Sequence, residues 1–194
     1  MTTRNKKQEI IKSAINIFVD QGFDRPTMDY IAQKTEVSKR TLYKHFSSKR
    51  DLLDSILVEL LNERKETMLF TIPEDLALDK QVEMVIREKL KHSLDPSNIK
   101  LCKIILSEYL KDKGFLKEQI DLVLRTENAT LEWIEKLQQT NILSSNYTAI
   151  EILQCFNELI NGLIFFPVIF NGKDEALEKD INYIVTAFCA IYKI

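Results

Sequence analysis

The stretch that decides the fold is Thr27–Leu53, TMDYIAQKTEVSKRTLYKHFSSKRDLL. It contains three sites where a hydroxyl side chain stands just ahead of an apolar run with helical spacing, which is typical of a helix N-terminus. Thr27 and Ser38 are two of these sites, and Ser48 with Asp51 has the spacing of a capping box. The stretch therefore predicts two short helices joined by a tight turn, followed by the start of a third helix.

The second short helix carries a basic face. Its exposed residues are predicted to be Lys39, Arg40, Tyr43 and Lys44, because Leu42 is needed for the core. Two helices joined by a short turn, the second of them basic, form a helix-turn-helix unit, whose second helix enters the major groove of DNA. A guanidinium such as that of Arg40 has the donor geometry to pair bidentately with guanine O6 and N7.

Charge is divided unevenly along the 194 residues. Residues 1–50 hold 11 Lys and Arg against 5 Asp and Glu, a net charge of +6, whereas residues 51–194 hold 16 against 24, a net charge of −8. A basic N-terminal part followed by an acidic remainder favours a DNA-binding domain attached to a domain that is not itself attracted to phosphate.

The fold is predicted to be all-α. Glycine and proline number only 4 each, and no sustained period-two alternation is present. We divide the chain into a helix-turn-helix domain of residues 1–50, with three helices, and a larger helical domain of residues 51–194. Helical periodicity and breakers predict about nine helices in all: Arg4–Gln21, Met28–Lys34, Lys39–His45, Lys49–Met68, Leu76–Ser93, Asn98–Asp112, Leu116–Gln139, Tyr147–Phe166 and Asp174–Tyr192.

The eighth and ninth predicted helices are unusually apolar. Two such helices are either the centre of one core or half of a four-helix interface with a second copy of the chain. We favour a two-fold homodimer through these two helices, because one helix-turn-helix reads few base pairs and a dimer reads two half-sites.

Residues for metal or catalytic chemistry are sparse. The chain has two histidines, and its three cysteines, Cys102, Cys155 and Cys189, are widely separated in apolar sequence, so no metal site and no cofactor is expected. An enzyme built on Glu108, Glu127 or Glu158 is the weaker alternative, since neither a nucleophile motif nor a phosphate-binding glycine loop accompanies these carboxylates.

No membrane segment is predicted. The most apolar stretch, Ile150–Phe170, is interrupted by residues that are costly in hydrocarbon, among them Glu151, Glu158 and Asn161. The basic N-terminus is not followed by the apolar core of a signal peptide. The expected location is the cytoplasm.

The helix-turn-helix resembles that of a known family. Residues 8–55, approximately, resemble the N-terminal domain of the tetracycline-repressor (TetR) family of transcriptional regulators. The residues that carry this resemblance lie within that range. They are Thr27, Ile31, Ala32, Val37, Ser38, Thr41, Leu42, Tyr43, His45, Phe46, Lys49 and Leu52.

The resemblance implies an omega-shaped, all-helical homodimer whose last two helices form the interface. It also implies that residues 51–194 bind a small-molecule effector, which moves the two DNA-binding domains apart and releases a palindromic operator. A DNA-binding regulator without a small-molecule ligand, controlled by a protein partner or acting as an activator, remains the alternative.

Site residues follow from the resemblance at matching positions. Thr27, Tyr43, His45 and Lys49 are implied phosphate contacts, and the remaining predicted DNA-binding residues are Ser38, Lys39, Arg40, Thr41 and Lys44. Two positions depart from the family pattern, which often has glycine at the place of Glu36 and a small residue at the place of Arg40. Since the turn commonly needs a left-handed residue, Glu36 is expected to carry backbone strain.

An effector pocket is predicted among the fifth, sixth, seventh and eighth helices, where aromatic and amide side chains are available. For each candidate, a plain core position is the competing interpretation. The candidates are Tyr109, Trp133, Gln154, Phe156, Asn157, Glu158, Phe165 and Phe166.

Overall fold

The computed structural model describes residues 3–67, 72–73, 75–111, 128–172 and 177–194. Over these ranges the chain is helical, with a single isolated β-bridge between Leu143 and Lys193 and no other strand pairing. The all-α prediction is confirmed.

The helices of the described residues have the following bounds: α1 Thr3–Gln21, α2 Met28–Lys34, α3 Lys39–His45, α4 Lys49–Thr67, α5 Leu78–Ser93, α6 Pro96–Tyr109, α7 Asn128–Gln139, α8 Ala149–Ile160, α9 Phe166–Asn171 and α10 Leu177–Tyr192. Helices α2 and α3 have the predicted bounds, and the others differ at their ends by a few residues. The predicted starts of the seventh and ninth helices, at Leu116 and Asp174, lie outside the described residues.

The prediction of the eighth helix as one regular α-helix is wrong. It consists of α8, a π-helical turn Asn161–Phe165, and α9. The amide of Phe166 donates to the carbonyl of Asn161, five residues earlier. Pro167 explains the change, because proline lacks an N–H and its ring clashes with the carbonyl four residues before it in a regular α-helix. A wider π turn accommodates such an interruption without ending the helix.

The chain forms two compact units. Unit 1 comprises Met1–Glu63 and Pro96–Lys117, and unit 2 comprises Arg64–Asp95 and Glu118–Ile194. Unit 1 thus contains α6 in addition to the helix-turn-helix, whereas α5 and α7 to α10 belong to unit 2. The functional boundary at residue 50 stays a prediction.

Unit 1 is built around an apolar cluster that α1, α2, α3, α4 and α6 share. Its buried side chains recur at helical spacing on α1, α2, α4 and α6, as the sequence periodicity predicts, whereas α3 contributes Leu42. They include Ile10, Ala14, Phe18, Ile31, Leu42, Phe46, Leu52, Leu53, Ile56 and Leu101.

Unit 2 is centred on aromatic side chains. The ring centroid of Phe188 lies 4.9 Å from that of Phe156, 5.2 Å from Tyr192 and 6.2 Å from Trp133. The indole N–H of Trp133 donates to Oε1 of Gln81 at 2.9 Å, so its polar atom is satisfied inside the core.

Within the part of the chain that the structure describes, one helical stretch, Ala149–Asn171, is long and apolar enough to cross a membrane, and 33% of its most apolar window is buried within the protein. Core helices of soluble proteins meet the same criterion. This stretch is therefore weak evidence for a membrane protein.

Candidate nucleic-acid interface

Helices α2 and α3 begin as the sequence predicts. Oγ1 of Thr27 accepts the amide hydrogen of Tyr30 at 3.1 Å, and Oγ of Ser38 accepts that of Thr41 at 3.0 Å. Each hydroxyl satisfies one amide that has no partner within its helix. Both predicted caps are confirmed.

The turn between α2 and α3 is a Schellman motif. The amide of Val37 donates to the carbonyl of Ala32 at 3.0 Å, and the amide of Glu36 donates to that of Gln33 at 3.3 Å. This pattern requires a left-handed residue at its centre, and Glu36 has φ of 53°. The left-handed conformation expected of Glu36 is confirmed.

Helix α3 presents the expected basic face to solvent. Lys39, Arg40, Tyr43 and Lys44 are exposed, whereas Leu42 on the opposite side is fully buried. Thr41 and His45 are half-buried at the edges of this face. The exposed face of α3 is therefore available to enter a groove of DNA.

Lys39 has a neighbour that sequence reasoning missed. Its Nζ forms an ion pair with Oδ2 of Asp29 on α2 at 2.5 Å, with both side chains more than half exposed. Asp29 is the second residue of α2, so a carboxylate there also complements the helix dipole.

Lys49, an implied phosphate contact, has close partners within unit 1. Its Nζ donates to the carbonyl oxygens of Phe23 at 2.6 Å, Asp24 at 3.0 Å and Pro26 at 3.1 Å. The side chain is half-buried. Sequence reasoning could not reveal these contacts, because backbone carbonyls more than twenty residues away carry no residue-specific pattern.

The start of α4 is capped, although not by the predicted reciprocal box. Oγ of Ser48 accepts the amide hydrogen of Asp51 at 3.1 Å, as expected. The carboxylate of Asp51 instead accepts the amide hydrogen of Ser47 at 2.7 Å and its hydroxyl at 2.9 Å. Asp is one methylene shorter than Glu, and here its carboxylate bonds the residue before the cap.

Among the effector candidates, Tyr109 belongs to unit 1, whereas the other seven belong to unit 2. Tyr109 is buried, its hydroxyl donates to Oδ1 of Asp54 at 3.0 Å, and the guanidinium carbon of Arg50 lies 4.5 Å from its ring centroid. Burial, together with the nearby Asp54 carboxylate, raises the pKa of the Tyr109 hydroxyl well above its ordinary value. Tyr109 is thus a core residue of unit 1.

Some of the seven candidates in unit 2 are interior. Trp133 and Phe156 are buried neighbours with ring centroids 6.4 Å apart. Asn157 is half-buried, and its Oδ1 accepts a hydrogen bond from Nζ of the buried Lys89 at 3.1 Å.

The remaining candidates lie nearer the surface. Gln154, Glu158 and Phe166 are exposed, and Phe165 is half-buried with its ring centroid 5.7 Å from that of Phe166. The structure therefore does not bring these seven residues together as the lining of one pocket.

Sequence reasoning missed buried polar residues on α5, among them Gln81 and Lys89. Gln81 and Lys89 are buried on the face that also carries Val82, Val85 and Ile86. Their placement on an otherwise apolar helical stripe is the pattern that could have revealed them, because polar side chains are rarely buried without a specific partner.

The carboxylates considered for an enzyme are not brought together. Glu108 lies in unit 1 and bonds Lys111, Glu158 is exposed in unit 2, and Glu127 lies outside the described residues. Across the ranges that the structure describes, no group of three or more His, Cys, Asp or Glu side chains is placed to hold a metal ion.

Residues 10–56 match the family model described as bacterial regulatory proteins, tetR family. The chain is 24% identical over 163 residues to the HTH-type transcriptional regulator SrpR of Pseudomonas putida, covering 82% of this chain and 73% of that protein. Over 48 residues it is 40% identical to IcaR of Staphylococcus aureus strain Newman, the HTH-type negative transcriptional regulator of the biofilm operon icaADBC, covering 25% of this chain and 26% of that one.

The fold has a counterpart among solved structures. A TetR-family transcriptional regulator of Mesorhizobium loti MAFF303099 superposes with a TM-score of 0.85 at 20% identity, covering 100% of both chains. The fold and the basic helix-turn-helix define the class of DNA-binding transcriptional regulators. The helix-turn-helix domain, residues 10–56, is that of the TetR family. The relatives are transcriptional regulators and not enzymes.

Proposed function

We propose that this protein is a cytoplasmic repressor that binds a palindromic operator as a homodimer and is released from it by a small-molecule effector. The observation that carries the proposal is the exposed basic face of α3, held by a capped helix-turn-helix. The name of IcaR, a negative regulator, supports repression as the mode of action.

Selection of duplexes from random oligonucleotides, followed by fluorescence anisotropy titration, tests operator binding. We expect a palindromic site with half-sites about one helical turn apart. The logarithm of the affinity should fall with the logarithm of salt by about 0.9 for each phosphate that the protein neutralises. Absence of sequence-selective binding to any selected duplex would contradict the proposal.

The two apolar faces of α10 support the homodimer. Ile181, Ile184, Phe188 and Tyr192 are buried in the core of unit 2. A second face exposes Tyr183, Ala190 and Ile191, with Tyr183 63% exposed and Ile191 47% exposed. An exposed apolar face on a helix whose other side already fills a core suits burial against a partner.

This division decides which residue of α10 is suited to test the interface. Phe188 is fully buried within its own unit, so a charge at this position tests folding and not dimerisation. Tyr183→Asp is the appropriate variant, and Asn182→Asp, an exposed neighbour on the same helix, is its matched control.

We expect light scattering to show a dimer for the wild type and for Asn182→Asp, and a monomer for a folded Tyr183→Asp protein. The physical reason is that burial of an unpaired carboxylate costs several kcal/mol. A folded Tyr183→Asp protein that stays dimeric would exclude this face of α10 from the interface.

Effector control is supported by family membership, because TetR-family regulators typically act with small-molecule effectors. It is also consistent with the interior of unit 2, where Gln81 bonds Trp133, and the buried Lys89 bonds Asn157, the residue after Phe156. Such a mixture of aromatic surface with few polar groups is typical of ligand sites.

A thermal-shift screen with metabolites and cationic drugs tests effector control. A compound that binds only the folded protein raises the melting temperature. A true effector must also raise the Kd for the selected operator. If no compound does both, a regulator controlled by a protein partner becomes the better interpretation.

A further inference from the structure

Lys49 uses its ammonium group as an internal clamp. An ammonium has three N–H donors and no acceptor. The carbonyls of Phe23, Asp24 and Pro26 take one donor each, at 2.6, 3.0 and 3.1 Å. The Nζ also lies 4.6 Å from the centroid of the Phe23 ring, which adds a cation–π contact. All three donors are therefore used within unit 1.

The clamp acts on the loop that leads from α1 into α2. This loop leaves α1 at Gly22, whose φ is 78°, and the ring of Phe23 then packs against that of Phe18 with centroids 5.3 Å apart. Pro26 is buried, and the next residue, Thr27, caps α2. The clamp consequently ties the first residue of α4 to the three residues that set where α2 begins.

The position of α2 determines that of α3. The two helices are joined by the Schellman turn at Glu36, and Ile31 of α2 and Leu42 of α3 lie fully buried in the same apolar cluster. If the loop loses its ammonium partner, its carbonyl oxygens need other hydrogen-bond donors. Because the loop is then no longer held to α4, we expect α2 and α3 to occupy more than one position.

We propose that Lys49 is a positioning residue for DNA binding, whose ammonium holds the α1–α2 loop so that Thr27 and α3 face the operator, and that Lys49 does not contact a phosphate. This inference rests on the DNA-binding function proposed above. It assigns Lys49 a role different from the phosphate contact that the family resemblance implies.

The test compares three variants by anisotropy titration at several salt concentrations, at a temperature where circular dichroism shows each to be fully folded. Lys49→Met removes the ammonium, and Lys49→Arg keeps the charge. A planar guanidinium cannot direct its donors at three carbonyls that surround one nitrogen atom, although it binds phosphate well. Lys44→Met, on the exposed face of α3, is the comparison for loss of a cation that faces DNA.

We expect Lys49→Met and Lys49→Arg to raise the Kd for the selected operator by about tenfold at every salt concentration, because apparent affinity falls with the fraction of protein in the binding-competent arrangement. The salt slope should match the wild type for both variants, whereas Lys44→Met should lower it by about 0.9. If Lys49→Met lowers the slope by about that amount and Lys49→Arg restores wild-type binding, Lys49 contacts a phosphate and the inference is wrong. An unchanged Kd with a lowered melting temperature also overturns it, since the clamp would then only stabilise the fold.

Acetylation of the wild-type protein, followed by mass spectrometry, keeps the inference testable if the variants fail to fold. A clamped Lys49 should react slowly both with and without operator, whereas Lys44 should react quickly and become protected when operator binds. Reaction of Lys49 as fast as Lys44 in the DNA-free protein would overturn the inference. Wild-type protein that binds no selected duplex would instead overturn the proposed function.

Discussion

Unit 1 fills its core mainly with aliphatic side chains, whereas the core of unit 2 is centred on a cluster of aromatic rings. In unit 1 the fully buried residues are chiefly Ile and Leu, with single rings such as Phe18 and Phe46 between them. In unit 2, Trp133, Phe156 and Phe188 contact one another directly.

The ends of helices in the two units are more alike. Ser38 caps α3 in unit 1, and Thr148 with Glu151 forms a complete capping box on α8 in unit 2. The turn after α2 and the turn after α7 are both Schellman motifs, with Glu36 (φ 53°) and Asn141 (φ 55°) at the left-handed position.

Local contacts therefore determine more of the structure of the helix-turn-helix, and long-range contacts determine more of the structure of unit 2. In the helix-turn-helix, caps and turns between residues a few positions apart in the sequence set where each helix begins and ends. A surface that binds DNA needs helix ends that are placed this precisely. Packing of distant aromatic side chains holds unit 2 together, so its helix positions depend on side chains from α5, α7, α8 and α10 at once.

Phe188→Asp should have the largest effect. It places a carboxylate in the aromatic core of unit 2 without a partner, and we expect a loss of about 3 kcal/mol or more in the free energy of unfolding. Urea denaturation followed by the fluorescence of Trp133, the one tryptophan of the chain, measures it. A loss below about 1 kcal/mol would mean that the aromatic cluster is not the centre of unit 2.

Arg40→Ala should change DNA recognition without a comparable effect on folding, because its side chain is exposed. If Arg40 contacts a guanine, discrimination at one base position should fall by about 1 to 3 kcal/mol. Titration of a set of operators, each with one base pair changed, measures this discrimination. A uniform loss of affinity with an unchanged preferred site would make Arg40 a phosphate contact.

Ser38→Ala and Thr148→Ala remove equivalent caps from the two units. Each should lower the free energy of unfolding by about 1 kcal/mol, since an amide loses its side-chain partner. Only Ser38→Ala should also weaken operator binding, because α3 carries the basic face. Equal effects of both variants on the Kd would show that the geometry of α3 is not set at its N-cap.

Glu36→Gly should have the smallest effect on stability, and in the favourable direction. A side chain with a Cβ is strained at positive φ, so glycine should raise the free energy of unfolding by about 0.5 to 1 kcal/mol. Asn141→Gly is the matched variant in unit 2, and its gain should be smaller because Asn tolerates the left-handed region. Chemical denaturation of both variants measures the difference.

Glu36→Gly also removes a carboxylate from the vicinity of the operator. Binding should therefore become modestly stronger, most visibly at low salt where charges are poorly screened. A Glu36→Gly protein less stable than the wild type would show that the carboxylate makes a compensating contact, and the strain argument would be wrong.

The N-terminal helices were the most predictable part of the chain. Bounds of α2 and α3, the caps at Thr27 and Ser38, the left-handed Glu36 and the exposed face of α3 all follow from residues within a few positions of each other. Capping boxes were predicted less well. The box predicted at Ser48 is incomplete because Asp51 bonds Ser47, and the complete box lies at Thr148.

The sequence by itself thus determined the all-helical class, the helix-turn-helix and the basic face of α3, because these depend on local spacing and composition. Only the tertiary structure decided that Lys49 bonds the loop at Phe23, that Tyr109 packs in unit 1, and that Phe188 is interior. An apolar helix with two apolar faces does not specify which of them turns inward. That choice depends on the shape of the neighbouring helices, and their packed side chains come from distant parts of the chain.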